Sequence, residues 1–251
     1  SHLDRYLKEF VRNAENRGAK IHRAHDAAEA NAIICKLAAE HRARTIVKSK
    51  SMTTEGIQLN PAHEAARRQV VETDHRESII QLADEPPSHI IAHAIHKTRG
   101  QIAELFTAEL GMPPTDDIAK LTGTARTTLR DRFATADLGI SGVNFAVAET
   151  GTIVIVENEG NIRLTTSLPR VHIAVMGIEK VIPRFADLDV FLKLLPRSGT
   201  GQKLTTYQSF ITGIKQRETD EGPEELHILL LDNGRSRMLA HPITRQSLAC
   251  I

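Results

Sequence analysis

Polar side chains follow the apolar runs of this sequence in a repeated way. Thr45-Ile46-Val47 leads into Lys48, Ser49, Lys50, Ser51 and Glu55, and Gln69–Thr73 leads into Asp74 and Glu77. Val171–Met176 is followed by Glu179 and Lys180, and Leu226–Leu231 by Asp232, Asn233 and Arg235. Two glycine-bearing turns add Glu149, Thr150, Asn158 and Asn161. A carboxylate in such a set can act as base or nucleophile, a cation can meet an anion, and hydroxyls and amides can position a substrate. The same residue types are also ordinary turn formers. His89, His93 and His96 are spaced four and three apart, on one face of a helix expected from Ser88. Three imidazoles in that geometry can hold a transition metal. No carboxylate shares the face and H-E-x-x-H is absent, which favours a polar or ligand-facing role instead. G-x-G-x-x-G, G-x-S-x-G and a cysteine cluster are all missing, and the Gly-rich run 197–203 lacks phosphate-loop spacing. Spacing points to a ligand crevice and identifies no reaction.

Loops of this kind converge only if a sheet gathers the strand ends. Leu3, Leu7, Phe10, Val11 and Ala14 form one face of a helix over 3–17, stopped by Gly18. A strand at Lys20–His22 precedes a helix capped by Asp26 with Glu29, whose apolar face is Ala30, Ile33, Ile34, Leu37 and Ala38. Cys35 on that helix reads as a buried, inert thiol. The helix from Ser88 is expected to bury Ile91, Ile95, Ile102, Leu105 and Phe106, and Thr115 and Thr124 look like caps. Gly139–Gly142 reads as a turn that opens a hairpin of Val143–Ala148 and Ile153–Val156. Val171–Met176 is apolar throughout, as in a strand buried on both faces. Asp187 caps a helix carrying Leu188, Phe191, Leu192 and Leu195, and Tyr207–Ile214 and Leu226–Leu231 complete the strands, separated by a charged surface loop. Strands alternating with helices predict an α/β fold with a mainly parallel, Rossmann-like sheet and one inserted antiparallel hairpin, in a single domain over 1–251.

The composition agrees. A chain of 251 residues, 41% hydrophobic and 25% charged, can bury one α/β core. A net charge of +1 with interleaved signs leaves no footprint for nucleic acid or anionic lipid. No apolar run approaches the ~20 residues of a membrane helix. Two cysteines make no disulfide framework, so a cytoplasmic setting is expected.

The residues together resemble the LUD domain, in the lactate-utilisation protein B branch. The matching stretches are Val47–Met52 with Glu55, Ile57, Leu59 and Asn60, then Glu72-Thr73-Asp74 with Glu77 and Ile79–Leu82. Pro86–Ile90 follows, with Ile95–Arg99, Gly142, Ala146–Val156, Asn158–Asn161, Gly177–Lys180 and Leu231–Arg235. His75-Arg76, Ser78, Gly56 and His93 depart from the family pattern, which puts the shape of the loop after Asp74 and a three-histidine metal site in question.

The resemblance implies a three-layer α/β/α fold akin to ribose-phosphate isomerases and CoA transferases. It implies membership of a multi-protein system that oxidises L-lactate to pyruvate, with sibling lactate-utilisation subunits as partners and lactate or a related small acid as a possible ligand. In that branch the LUD domain precedes a region with two 4Fe–4S clusters. None is expected in this fragment, and 249–251 would begin that region, Cys250 being its first thiolate ligand in a longer chain. On residue chemistry, Glu149 or Glu55 would handle protons and Lys50 would meet a carboxylate. Asn158, Asn161 and Asn233 would position the ligand, joined by Ser51, Asn60, Asp74, His96, Thr150, Asp232 and Arg235. Two alternatives stay open: a CoA-transferase or sugar-phosphate-isomerase-like enzyme with Glu149 as its catalytic carboxylate, and a docking scaffold for sibling subunits.

Overall fold

The computed structural model describes residues 2–85, Ser88 and 94–249. In chain order the elements are α1 (Leu3–Glu15), β1 (Lys20–Ala24), α2 (Ala27–Glu40), β2 (Thr45–Lys48), α3 (Met52–Gly56), α4 (Leu59–Ala65), β3 (Gln69–Glu72) and α5 (His75–Leu82). There follow α6 (Arg99–Leu110), α7 (Ile118–Thr135), β4 (Leu138–Gly142), β5 (Phe145–Val147), β6 (Thr152–Glu157), α8 (Asn161–Ser167) and β7 (Val171–Gly177). The last are β8 (Val181–Ile182), α9 (Leu188–Thr200), β9 (Tyr207–Ile211), β10 (Glu225–Leu231) and α10 (Arg235–Ala240).

Six strands form a parallel sheet in the order β1-β10-β7-β4-β2-β3, flanked by helices as the α/β reading expects. The chain lays β3 outside β2, then returns to place β4 on β2's other side and build outward through β7 and β10. The order therefore reverses between β2 and β4, and crevices open beyond the carboxyl ends of strands at such a reversal. Alternation along each strand sends Ile46, Val70, Ile140 and Ile173 to the face covered by α2 and α4. Ala174, Met176, Leu226 and Ile228 go to the face covered by α1. Every residue of β7 is buried, as its unbroken apolar run requires.

Several expectations are corrected. Gly139–Gly142 is not a turn: it lies in β4, between β2 and β7. Glycine is needed because a Cβ at Gly139 would stand 2.0 Å from the Thr165 carbonyl oxygen of α8. The β5–β6 hairpin exists, but it belongs to a second, four-stranded sheet, β8-β5-β6-β9, that packs with α1 and α9. Among the described residues, the helix expected from Ser88 begins only at Arg99, and Ile91 lies outside them. Thr98 caps α6 in a capping box with Gln101, and Ile95 is 71% exposed. His89 and His93 lie outside the described residues. Thr124 sits within α7, whose N-cap is Asp117, accepting from the N–H groups of Ala119 and Lys120.

The edge strand β3 is closed by a side chain. Gln81 of α5 donates to the Val70 carbonyl at 2.7 Å and accepts from the Glu72 N–H at 3.0 Å, as a neighbouring strand would. No described helix is long and apolar enough to cross a membrane.

Gly139→Ala is expected to lower stability by about 1–3 kcal/mol or more, because its clash is with backbone and not with a movable side chain. Chemical denaturation checks this.

Candidate functional site

The strands β2 and β3 end side by side on Lys48 and Glu72, which are register partners. Both follow the parity of Ile46 and Val70 and so point to the α4 face. There α3, α4 and α5 fold back over them. Ser51 starts α3, its hydroxyl accepting from the Thr54 N–H at 3.4 Å. Asp74 starts α5 by accepting from Arg76 and Glu77 N–H groups. These turns bring Glu55, Asn60 and Glu77 onto the Lys48–Glu72 pair.

The contacts are close and buried. Lys48 Nζ lies 3.0 Å from Glu72 Oε1 and 3.5 Å from Thr54 Oγ1. Asn60 donates to the same Glu72 oxygen at 2.5 Å. Lys48 is 1% exposed, and Glu72 and Glu77 are each 6% exposed. The Glu77 carboxyl sits against those of Glu72 and Glu55. Burial, then the Glu72 charge, pushes its pKa from 4.5 up to about 10. Glu77 is therefore a carboxylic acid at neutral pH. Glu72 Oε2 and Glu55 Oε1 are buried without an ordinary N–H or O–H donor. A protonated Glu77 provides the O–H that one of them needs. The cluster opens into a cleft of about 760 Å³, lined further by Gln58, Pro61, Asp84 and Glu85. It can store one proton and accept another.

Two neighbouring groups hold other expected residues. Beside β3 and α8, Asn161 donates to Thr73 Oγ1 at 3.3 Å, and Thr73 and Thr165 hydroxyls lie 3.3 Å apart. Glu159 accepts from the His75 N–H at 3.0 Å, and burial, then Asp74, pushes its pKa up to about 7. Beyond β7 and β10, Arg235 Nε lies 2.7 Å from Glu179 Oε2, and Asp232 accepts from the Ser236 N–H and hydroxyl. Asn233 takes a left-handed turn with φ 42°, leading into α10.

Other expected residues lie elsewhere. Glu149 is exposed on the β5–β6 turn, where it accepts from the Phe185 N–H at 2.9 Å. That turn rests on α1, since a Cβ at Gly151 would stand 2.4 Å from the Ala14 nitrogen. Thr150 donates to Thr152. Asn158 braces the segment before β9 through Thr206 and Gln202. His96 bonds Ser88 and Glu85. Lys50 is half-buried on the loop after β2, and Cys250 lies outside the described residues.

Lys48 and Glu72 escape the sequence reading as site residues because Lys50 is the preferred cation of the loop after Val47 and Glu72 reads as an interior residue of the strand Gln69–Thr73. The available signal was two strands ending in opposite charges at matched parity.

Glu77 gives a signed pH prediction. The unfolded carboxyl loses its proton above about 4.5 while the folded one keeps it to about 10, so its stabilising contribution is full below 4.5 and is lost as pH rises through that window. Glu77→Gln, which keeps a donor and cannot ionise, should raise stability by at least about 1 kcal/mol at pH 8 and flatten the alkaline decline. Lys48→Met strands the Glu72 charge and should cost about 3–5 kcal/mol. Denaturation midpoints across pH measure both.

Comparison with known proteins agrees with the fold. Residues 7–231 match the family model described as LUD domain. The chain is 48% identical over 238 residues to a lactate utilization protein B of Geobacillus thermodenitrificans (strain NG80-2), covering 94% of this chain and 50% of that protein. It is 46% identical over 240 residues to one of Shouchella clausii (strain KSM-K16), covering 95% and 50%. The chain thus spans about half the length of the curated relatives it matches. A crystal structure of a DUF162 family protein from Deinococcus radiodurans shares the fold, with a TM-score of 0.50 at 14% identity over 91% of this chain and 98% of that one.

Proposed function

The chain belongs to the LUD domain family, and from that premise we propose that it is the LUD part of a component of a lactate-utilisation system, its carboxylate cleft handling protons during oxidation of L-lactate to pyruvate. Lactate yields pyruvate, two electrons and two protons, so the reaction needs proton acceptors as well as an electron acceptor. One observation carries the reading: Glu77 is held as an acid between two further carboxylates beside a buried lysine. Glu55, part-exposed at the mouth, takes up a proton first, and the carboxyl chain through Glu77 to Glu72 spreads it over buried oxygens. Lys48 is already paired with Glu72 and so gives a second anion little.

The finer reading, an electron-transfer subunit with two 4Fe–4S clusters working with sibling subunits, rests on family resemblance. The chain's two cysteines cannot supply the four thiolates of a cluster, so no step described here passes through one.

A second, compatible role is favoured by one feature. Phe185 and Phe210 are exposed with ring centroids 5.7 Å apart, on the side of the second sheet that carries α9, whose Val190 and Leu194 are also exposed. Such a patch suits contact with another component of the system.

The test is lactate-dependent reduction by the reconstituted full-length system. Glu55→Gln and Glu77→Gln should each lower kcat about 10²-fold with little change in KM. An unchanged kcat in both sinks the proton-handling reading. Loss of assembly on Phe210→Ser, with those two kcat values unaltered, would leave the docking role alone.

A further inference from the structure

At the opposite edge of the main sheet β1 and β10 begin side by side, Lys20 level with His227. Glu225 and His227 are two apart on β10 and so leave the same face. The helix α2 packs on that face and ends at His41. Glu225 Oε2 lies 3.5 Å from His227 Nε2 and 3.8 Å from His41 Nε2. One donor atom from each of the three residues lies within 4.8 Å of the other two. Ligands about 2.1 Å from a tetrahedral zinc stand about 3.4 Å apart, so only a small inward movement of the part-exposed His41 closes the set.

His227 is the strongest sign that the cluster is built to bind. It is 2% exposed, and its Nε2, which faces Glu225, makes no hydrogen bond. Leaving a buried ring nitrogen without a partner is costly unless something else takes its lone pair. The other nitrogen, Nδ1, lies 2.9 Å from His22 Nε2, with the two rings stacked at 5.2 Å between centroids. With His22 accepting, His227 carries its proton on Nδ1 and turns the Nε2 lone pair toward Glu225 and His41. This is what an outer hydrogen-bond partner does for a metal-ligating imidazole.

We propose that His41, Glu225 and His227 form a binding site for one divalent transition ion of the zinc class, with His22 as the positioning residue. Two imidazoles and a carboxylate suit such an ion and leave coordination positions for water on the exposed side. Lys20 is the competitor: its ammonium rests on Glu225 Oε2, and its side chain is 58% exposed and free to swing away. The site lies at the sheet edge away from the carboxylate cleft, so it stands or falls independently of the proton-handling reading.

The experiment titrates zinc chloride into the purified, metal-stripped chain by calorimetry, with visible absorption of the cobalt(II) form as a second readout. The wild type should take up one equivalent and give a tetrahedral cobalt spectrum. His41→Ala, at a part-exposed position that the core does not need, should weaken binding at least tenfold with an unchanged circular dichroism spectrum. Lys20→Met should tighten it severalfold, which adventitious binding to surface histidines would not show. A wild type without stoichiometric uptake overturns the assignment. So do His41→Ala and Lys20→Met proteins that both bind as the wild type does.

Discussion

The interaction on which this molecule's site depends is the buried pair of Lys48 and Glu72 at the last rungs of β2 and β3. Taking two charges out of water costs several kcal/mol per ion, and their mutual attraction offsets this only when the remaining lone pairs and protons are also met. That condition dictates the neighbourhood. Thr54 and Asn60 must reach in from α3 and α4, and Gln81 must hold the Glu72 backbone so that its side chain stays in register. A third carboxyl, Glu77, can join only by keeping its proton. Its retained proton is set by desolvation first and by the adjacent Glu72 charge second.

The sequence shows the scaffold better than the site. Apolar alternation and the unbroken run of β7 disclose a parallel sheet, because burial on both faces leaves no polar positions. Gly139–Gly142 misleads because glycine in a strand and glycine in a turn look alike until the packing partner is known. The partner here is the Thr165 carbonyl, far along the chain. The hairpin at 145–157 is legible, but nothing local says that it joins a separate sheet, since its other neighbours β8 and β9 are short or weakly patterned.

The same holds for the candidate residues. Glu55 and Asn60 do reach the cleft, and beside it Asn161 meets Thr73, the neighbour of Asp74, because loops at the ends of adjacent parallel strands converge whatever their details. Lys50 draws attention as a loop cation, yet the lysine in the cleft is Lys48, one pleat earlier, where it counts as strand. Glu149 looks catalytic from its glycine-rich turn. Its turn serves instead to seat the second sheet on α1, and its carboxylate accepts a backbone N–H there. Only the fold separates these cases: a carboxylate gains reactive character from burial among like charges, and spacing does not report burial.

The charge of the cleft bears on what it can recognise. Glu55, Glu64, Glu72 and Asp84 line it, Glu85 at its edge is paired with Lys97, and among the described lining residues the one cation, Lys48, is already neutralised within the pair. An anionic hydroxy acid would meet like charge at the carboxylate end. Strong anchoring of its carboxylate therefore has to come from groups outside the cluster, whether on this chain's neighbouring loops or on another component. A proton meets the opposite field. Each ionised carboxylate that disfavours a bound anion favours proton uptake, and the shared acid of Glu77 lets the charge redistribute without crossing bulk water. The arrangement that makes the cleft a poor anion receptor is the one that makes it a good proton acceptor.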